Sequence, residues 1–239
     1  ACRNKIPIED QVRDLATLLE VLKLQGPVHL LGLSYGGGIG LEFAARHPER
    51  VGSLILMAPY TEPVAEQDAW VRAQIWYNRK TFPLNPASDD ELYDFFLRQI
   101  VFSTYPTAEP VVLQNPYKLE AVYRMVQGIR KWTAAGVVHR LPSRSVHLMV
   151  AGEDQYIQRE VMTRFWQIVP VQSRASLMVV SHSEHKIPEA VPWFAAEWVK
   201  AIVQGTEIIQ NGNEFVGDPR SGVAHSDAGE LRFSRDVHP

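Results

Sequence analysis

Cysteine is almost absent from this chain: Cys2 is the only one among 239 residues. That excludes an intrachain disulfide framework and a cysteine-based metal cluster, and it fits a reducing compartment such as the cytoplasm. No apolar run reaches the length of about 18 residues that a membrane-spanning helix needs. A surplus of positive charge is missing too. Lys and Arg total 24 against 27 Asp and Glu, a net charge of -3, which argues against nucleic acid as a partner. The opening residues Ala1-Cys2-Arg3-Asn4-Lys5 have no apolar centre and do not read as a secretion signal. What is present is ordinary for a globular protein, with 46% hydrophobic and 21% charged residues.

Along the chain, Glu9 to Leu24 is expected to be an amphipathic helix, because Val12, Leu15, Leu19 and Leu22 recur at spacings of three and four. Gly26-Pro27 should stop it, glycine by a left-handed cap and proline by being unable to continue. Val28 to Leu33 is a nearly all-apolar run of the kind found in a parallel strand covered on both faces. A helix over Gly36 to Arg46, with Ile39 and Phe43 one turn apart, and a strand over Ser53 to Met57 complete a βαβ unit. From Pro59 to about Leu141 strand-like runs thin out, prolines recur, and aromatics such as Trp70, Trp76, Phe82, Phe95 and Trp132 crowd in. Helical patterns dominate there, for example Asp89 to Phe102, so a helical insertion is expected. Alternation then resumes, with a strand at Val146–Ala151, a helix at Arg159–Ile168, a strand at Leu177–Val180 and a helix at Glu189–Val203. Residues 206–239 hold six acidic and three basic residues. They read as a polar, flexible tail, with a hairpin over Glu207–Val216 as the alternative because Asn211-Gly212 is a turn signal.

The chemistry concentrates in three places. Gly32-Leu33-Ser34-Tyr35-Gly36 has the form G-x-S-x-G and sits where a buried strand meets a helix opened by Gly36-Gly37-Gly38. A turn that tight strains the serine backbone and demands neighbours without bulky side chains. It also aims the helix N-terminus at the serine, so the Tyr35 N–H becomes a candidate oxyanion donor. A serine hydroxyl needs a base, and the base needs an orienting acid. Asp154, after the strand ending at Ala151, is the preferred acid and Glu153 its competitor. After the next strand, Ser181-His-Ser-Glu-His-Lys-Ile-Pro188 offers His185, preferred because it lies farther from the strand end, and His182. The two histidines are three apart, as in some metal sites, but neither cysteine nor a clear third ligand accompanies them. No metal and no cofactor are therefore expected. His29, His47, His139 and His147 lack a comparable context, and surface or core roles suffice for them.

These segments resemble the α/β-hydrolase superfamily. The likeness rests on His29-Leu-Leu-Gly-Leu-Ser-Tyr-Gly-Gly-Gly38, Ala44-Ala-Arg-His-Pro-Glu-Arg-Val51, Gly152-Glu-Asp154 and His185-Lys-Ile-Pro-Glu189, within about residues 8–204. The resemblance implies a mostly parallel sheet flanked by helices, with a helical lid inserted before the acid strand. The expected division is core over 1–59, lid over 60–141, core over 142–204 and polar tail over 205–239. It further implies Ser34, Asp154 and His185 as a triad cleaving an ester or related acyl bond of a small, fairly apolar substrate through an acyl-enzyme. Acyl transfer, haloperoxidase or C–C bond hydrolysis on the same triad, and a non-catalytic binding protein, stay open.

The likeness departs at the front. The family places about four strands before the helix at Glu9, and one of the intervening loops carries the second oxyanion donor. Nothing between Ala1 and Ile8 supplies either, so Val28–Leu33 is expected to be an exposed apolar edge. The expectation is a longer natural protein. The alternative is a reorganised sheet in which Phe215 or Leu231–Phe233 pairs at an edge.

Overall fold

The computed structural model describes residues 5–108 and 116–234. The chain divides into two compact units, one of Ala1–Asp10 with Pro63–Trp132 and the other of Gln11–Glu62 with Thr133–Pro239. The first described helix, α1 (Ile8–Val21), buries Val12 and Leu19 as the periodicity predicts. It stops earlier than expected. Lys23 adopts the left-handed conformation (φ 57°) foreseen for Gly26, and Leu22 is left exposed.

The larger unit is a seven-stranded sheet in the order β1-β2-β3-β4-β5-β6-β7. Its strands are β1 (Val28–Leu33), β2 (Val51–Met57), β3 (Val146–Ala151), β4 (Arg174–Val180), β5 (Asn213–Asp218), β6 (Val223–Ser226) and β7 (Gly229–Arg232). The first five run parallel, and β6 and β7 are each antiparallel to the strand before. The architecture is therefore the mostly parallel α/β sheet read from the alternation. Helix α2 (Tyr35–Arg46) packs on one face, where a Cβ at Gly40 would come 3.0 Å from the Leu54 Cδ1.

The opposite face carries Ile55, Met57, Met149, Met178 and Phe215. They are buried against Phe194, Trp198 and Ile202 of the helix at Pro192–Val203. Burying both faces explains why β2 and β3 read as apolar runs rather than as an alternation.

The tail departs from the expectation. It is not a flexible extension, and Asn211-Gly212 does not close a hairpin. The turn leads instead into β5, parallel to β4, and the β6–β7 hairpin follows. Phe215 meets Trp198 edge-on at 5.5 Å, and Phe233 meets Phe194 at 4.9 Å. Aromatic burial of this kind offsets the ordering entropy that polar composition alone leaves uncompensated. The tail thus joins the sheet at the β4 side. At the other side β1 is paired with β2, and its Leu31 is 51% exposed.

The smaller unit holds α3 (Ala65–Thr81), α4 (Asp89–Ala108) and α5 (Pro116–Ile129). A capping box starts α4: Glu91 accepts the Ser88 N–H at 2.7 Å, and the Ser88 hydroxyl accepts the Glu91 N–H at 3.2 Å. Tyr93 ties α4 to α3 by donating to Asp68 at 2.9 Å, beneath the Arg130 guanidinium at 4.3 Å. Burial, then the Asp68 carboxylate, push the Tyr93 phenol up to about 12. Among the described residues, no helix is long and apolar enough to cross a membrane.

Candidate active site

Parallel pairing places the C-terminal ends of β1, β3 and β4 along one edge of the sheet, because Leu33 aligns with Met57, Met57 with Met149, and Ala151 with Val180. The loops after those strands carry the three sequence candidates. Ser34 occupies the turn between β1 and α2 with φ 49° and ψ -119°, a conformation that costs a non-glycine residue about 1–3 kcal/mol. Its carbonyl accepts the Gly37 N–H at 2.9 Å and the Tyr60 N–H at 2.7 Å, while its own N–H donates to Met57 at 3.0 Å.

The glycines divide unequally. A Cβ at Gly32 would lie 2.6 Å from the Gly36 carbonyl oxygen, and one at Gly37 would lie 2.4 Å from the Pro59 Cβ. At Gly36 it would meet nothing within 4 Å. The close approach expected at both ends of the motif therefore falls at Gly32 and Gly37, not at Gly36.

Asp154 and His185 come from the loops after β3 and β4. Backbone bonds join those loops, Gly152 N–H to Val180 at 2.9 Å and Glu153 N–H to Ser183 at 2.9 Å. The Asp154 side chain is 2% exposed. Its Oδ1 accepts the N–H groups of Tyr156 and Ile157, both at 2.8 Å, which turns Oδ2 toward His185. Between His185 Nδ1 and Asp154 Oδ2 the distance is 2.8 Å, and between His185 Nε2 and Ser34 Oγ it is 2.9 Å. An ionised carboxylate only accepts, so Nδ1 carries the proton and Nε2 presents its lone pair to the Ser34 hydroxyl.

The two competitors pair with each other instead. His182 Nδ1 lies 2.9 Å from Glu153 Oε1, with both side chains about half exposed or more, at 50% and 60%. Tyr35 opens α2, so its N–H belongs to the first turn, where no preceding carbonyl of the helix can accept it. Its phenol accepts from Gln11, and burial raises its pKa against the opposing effect of that bond. Sequence reasoning passed over Tyr156. Its ring centroid is 5.3 Å from that of His185, and the only signal was an aromatic two residues beyond Asp154. Among the described residues, no group of three or more His, Cys, Asp or Glu is arranged to hold a metal ion.

Comparison with known proteins agrees with this architecture. Residues 6–189 match the family described as serine aminopeptidase S33, Hydrolase_4. The chain belongs to this family. S33 is a family of α/β-hydrolase-fold hydrolases, so the superfamily expected from the motifs is the right one. Solved structures share the fold with this S33 chain. A thermophilic esterase from Thermogutta terrifontis superposes with a TM-score of 0.56 at 20% identity, over 84% of this chain and 73% of that one. MGS-M2, an α/β-hydrolase from a Medee basin deep-sea metagenome, gives 0.57 at 17%, over 84% and 72%. A homoserine O-acetyltransferase from Thermobifida fusca (strain YX) is 39% identical over 71 residues, 30% of this chain. The matched stretch spans only 19% of that relative's length.

Proposed function

We propose that this S33-family chain is a serine hydrolase that cleaves a carboxylic ester, or a related acyl bond, of a small and fairly apolar substrate through an acyl-enzyme. One observation carries the reading: the continuous chain from Asp154 through His185 to Ser34, with heavy-atom separations of 2.8 and 2.9 Å. A hydroxyl with an oriented base within that reach is an activated nucleophile. Ser34 Oγ attacks the carbonyl as its proton passes to His185 Nε2. Asp154 stabilises the imidazolium that forms. The negative charge growing on the carbonyl oxygen falls at the N-terminus of α2, where the Tyr35 N–H and the helix dipole favour it. His185 then returns the proton to the departing alcohol, and water repeats the sequence on the acyl-enzyme.

The test is Ser34→Ala, assayed on a panel of activated esters alongside labelling with a fluorophosphonate. The expected outcome is loss of labelling and a fall in kcat of about 10⁴-fold or more. Undiminished turnover by the variant would overturn the assignment.

A second reading has one observation in its favour, the 71-residue match to an acetyltransferase. In it the acyl-enzyme is taken by an alcohol rather than by water. Product analysis with a competing alcohol separates the two, because transfer yields a new ester and hydrolysis only the acid.

A further inference from the structure

The exposed ring of Tyr156 has no part in the steps above, yet it stands beside the base that performs them. Its centroid lies 5.3 Å from that of His185, with the planes inclined at 53°, and the residue remains 62% exposed. The backbone that carries the ring is fixed by its own loop. The Tyr156 N–H donates to Asp154 Oδ1, and the next residue, Ile157, donates to the same oxygen and is itself buried. A large aromatic surface is thus held in water, against the reacting imidazole, by the carboxylate that orients that imidazole.

Proton transfer brings the leaving group to the same imidazole. When Ser34 Oγ forms its bond to the acyl carbon, the bond that breaks is the one from that carbon to the leaving oxygen. The pair of electrons goes to that oxygen, and the proton it receives comes from His185 Nε2. The departing group must therefore lie within hydrogen-bond reach of Nε2. A ring in contact with His185 stands beside the group that protonates the leaving oxygen. We infer that Tyr156 forms the wall of a leaving-group subsite that selects planar, apolar alcohols, aryl esters above alkyl esters. This rests on the serine-hydrolase reading and names its substrate class. Stacked or edge-on ring pairs gain an interaction beyond area burial that a saturated ring does not reproduce, a preference of about 3- to 10-fold.

The experiment compares phenyl acetate with cyclohexyl acetate, which share an acyl group and differ in the flatness of the leaving group. The kcat/KM ratio of the two esters is measured for the wild type, Tyr156→Ala, Tyr156→Phe and Tyr156→Trp. Comparing ratios cancels the unequal intrinsic reactivity of the two esters. Tyr156→Ala should lower the phenyl-to-cyclohexyl ratio about 5-fold, while Phe and Trp keep it. Deacylation of the common acetyl-enzyme follows departure of the leaving group and does not enter kcat/KM, so an effect of a variant on that step does not move the ratio. An equal loss for both esters, or an unchanged ratio in Tyr156→Ala, overturns the subsite and leaves the hydrolase reading standing. If the wild-type protein cleaves neither ester and Ser34 resists fluorophosphonate, the hydrolase reading falls and takes the subsite with it.

Discussion

Two acids and two histidines stand close together in this sequence, and each acid selects one histidine. Asp154 has a buried carboxylate whose oxygens are all directed, one to backbone N–H groups and one to His185. Glu153 and His182 are each half exposed or more, and a pairing at such a surface position contributes little, about 0–1 kcal/mol. Adjacent residues that look alike in sequence therefore carry opposite expectations. Asp154→Asn should reduce kcat about 10⁴-fold, because an amide in place of the carboxylate favours the wrong imidazole tautomer. Glu153→Gln should stay within about 3-fold of wild type. Steady-state kinetics on one activated ester measures both, and comparable losses would refute the sorting. Loop order brings both acids and both histidines to the ends of neighbouring strands and goes no further. The burial that separates Asp154 and His185 from their neighbours was not legible, since it depends on where the two loops touch.

Elements show the same division between pattern and contact. A strand, a sharp turn and a glycine-opened helix can be read from residues 28–46, but which glycines are required cannot. Gly37 faces Pro59, which follows β2. Gly37→Ala should destabilise the fold by about 1–3 kcal/mol through that clash. Gly36→Ala, at an open position near the start of α2, should be neutral or stabilising by up to about 1 kcal/mol. Urea unfolding of the two variants gives the comparison, and a larger loss for Gly36→Ala would contradict the packing described. The tail follows the sheet-edge alternative and not the flexible extension, for a related reason. Its charge pattern is that of solvated chain, yet buried Phe215 and Gly217 alternate with exposed neighbours in β5. That period of two lies in burial and not in the sequence, because exposed Val216 is as apolar as its buried neighbours.

At the scale of the whole molecule, one buried group links stability to pH. His147 on β3 is 1% exposed, with Nδ1 2.8 Å from the Ser176 hydroxyl and Nε2 without a hydrogen-bond partner among the described residues. Burial, with a smaller effect of His29, lowers its pKa from 6.5 to about 4. The unfolded chain therefore binds a proton that the folded one refuses between these values, and stability falls as the pH falls. The contribution is complete above pH 6.5, shrinks as the pH drops toward 4, and amounts to about 3 kcal/mol over that window. His147→Gln should flatten this part of the profile, as measured by denaturant midpoints at a series of pH values. A wild-type stability constant from pH 7 to pH 4.5 would exclude the linkage.

Periodicity, turn residues and motif order by themselves determined the α/β alternation, the strand–turn–helix around Ser34, and the order of serine, acid and histidine. These are local properties, written in spacings of a few residues. Tertiary structure alone decided that Asp154 and not Glu153 meets His185, that Gly37 rather than Gly36 is sterically required, and that the polar tail becomes sheet. It also set Tyr156 beside His185 and enclosed His147. Each of these depends on which distant segments come into contact, and burial and hydrogen-bond partners exist only after the strands have paired.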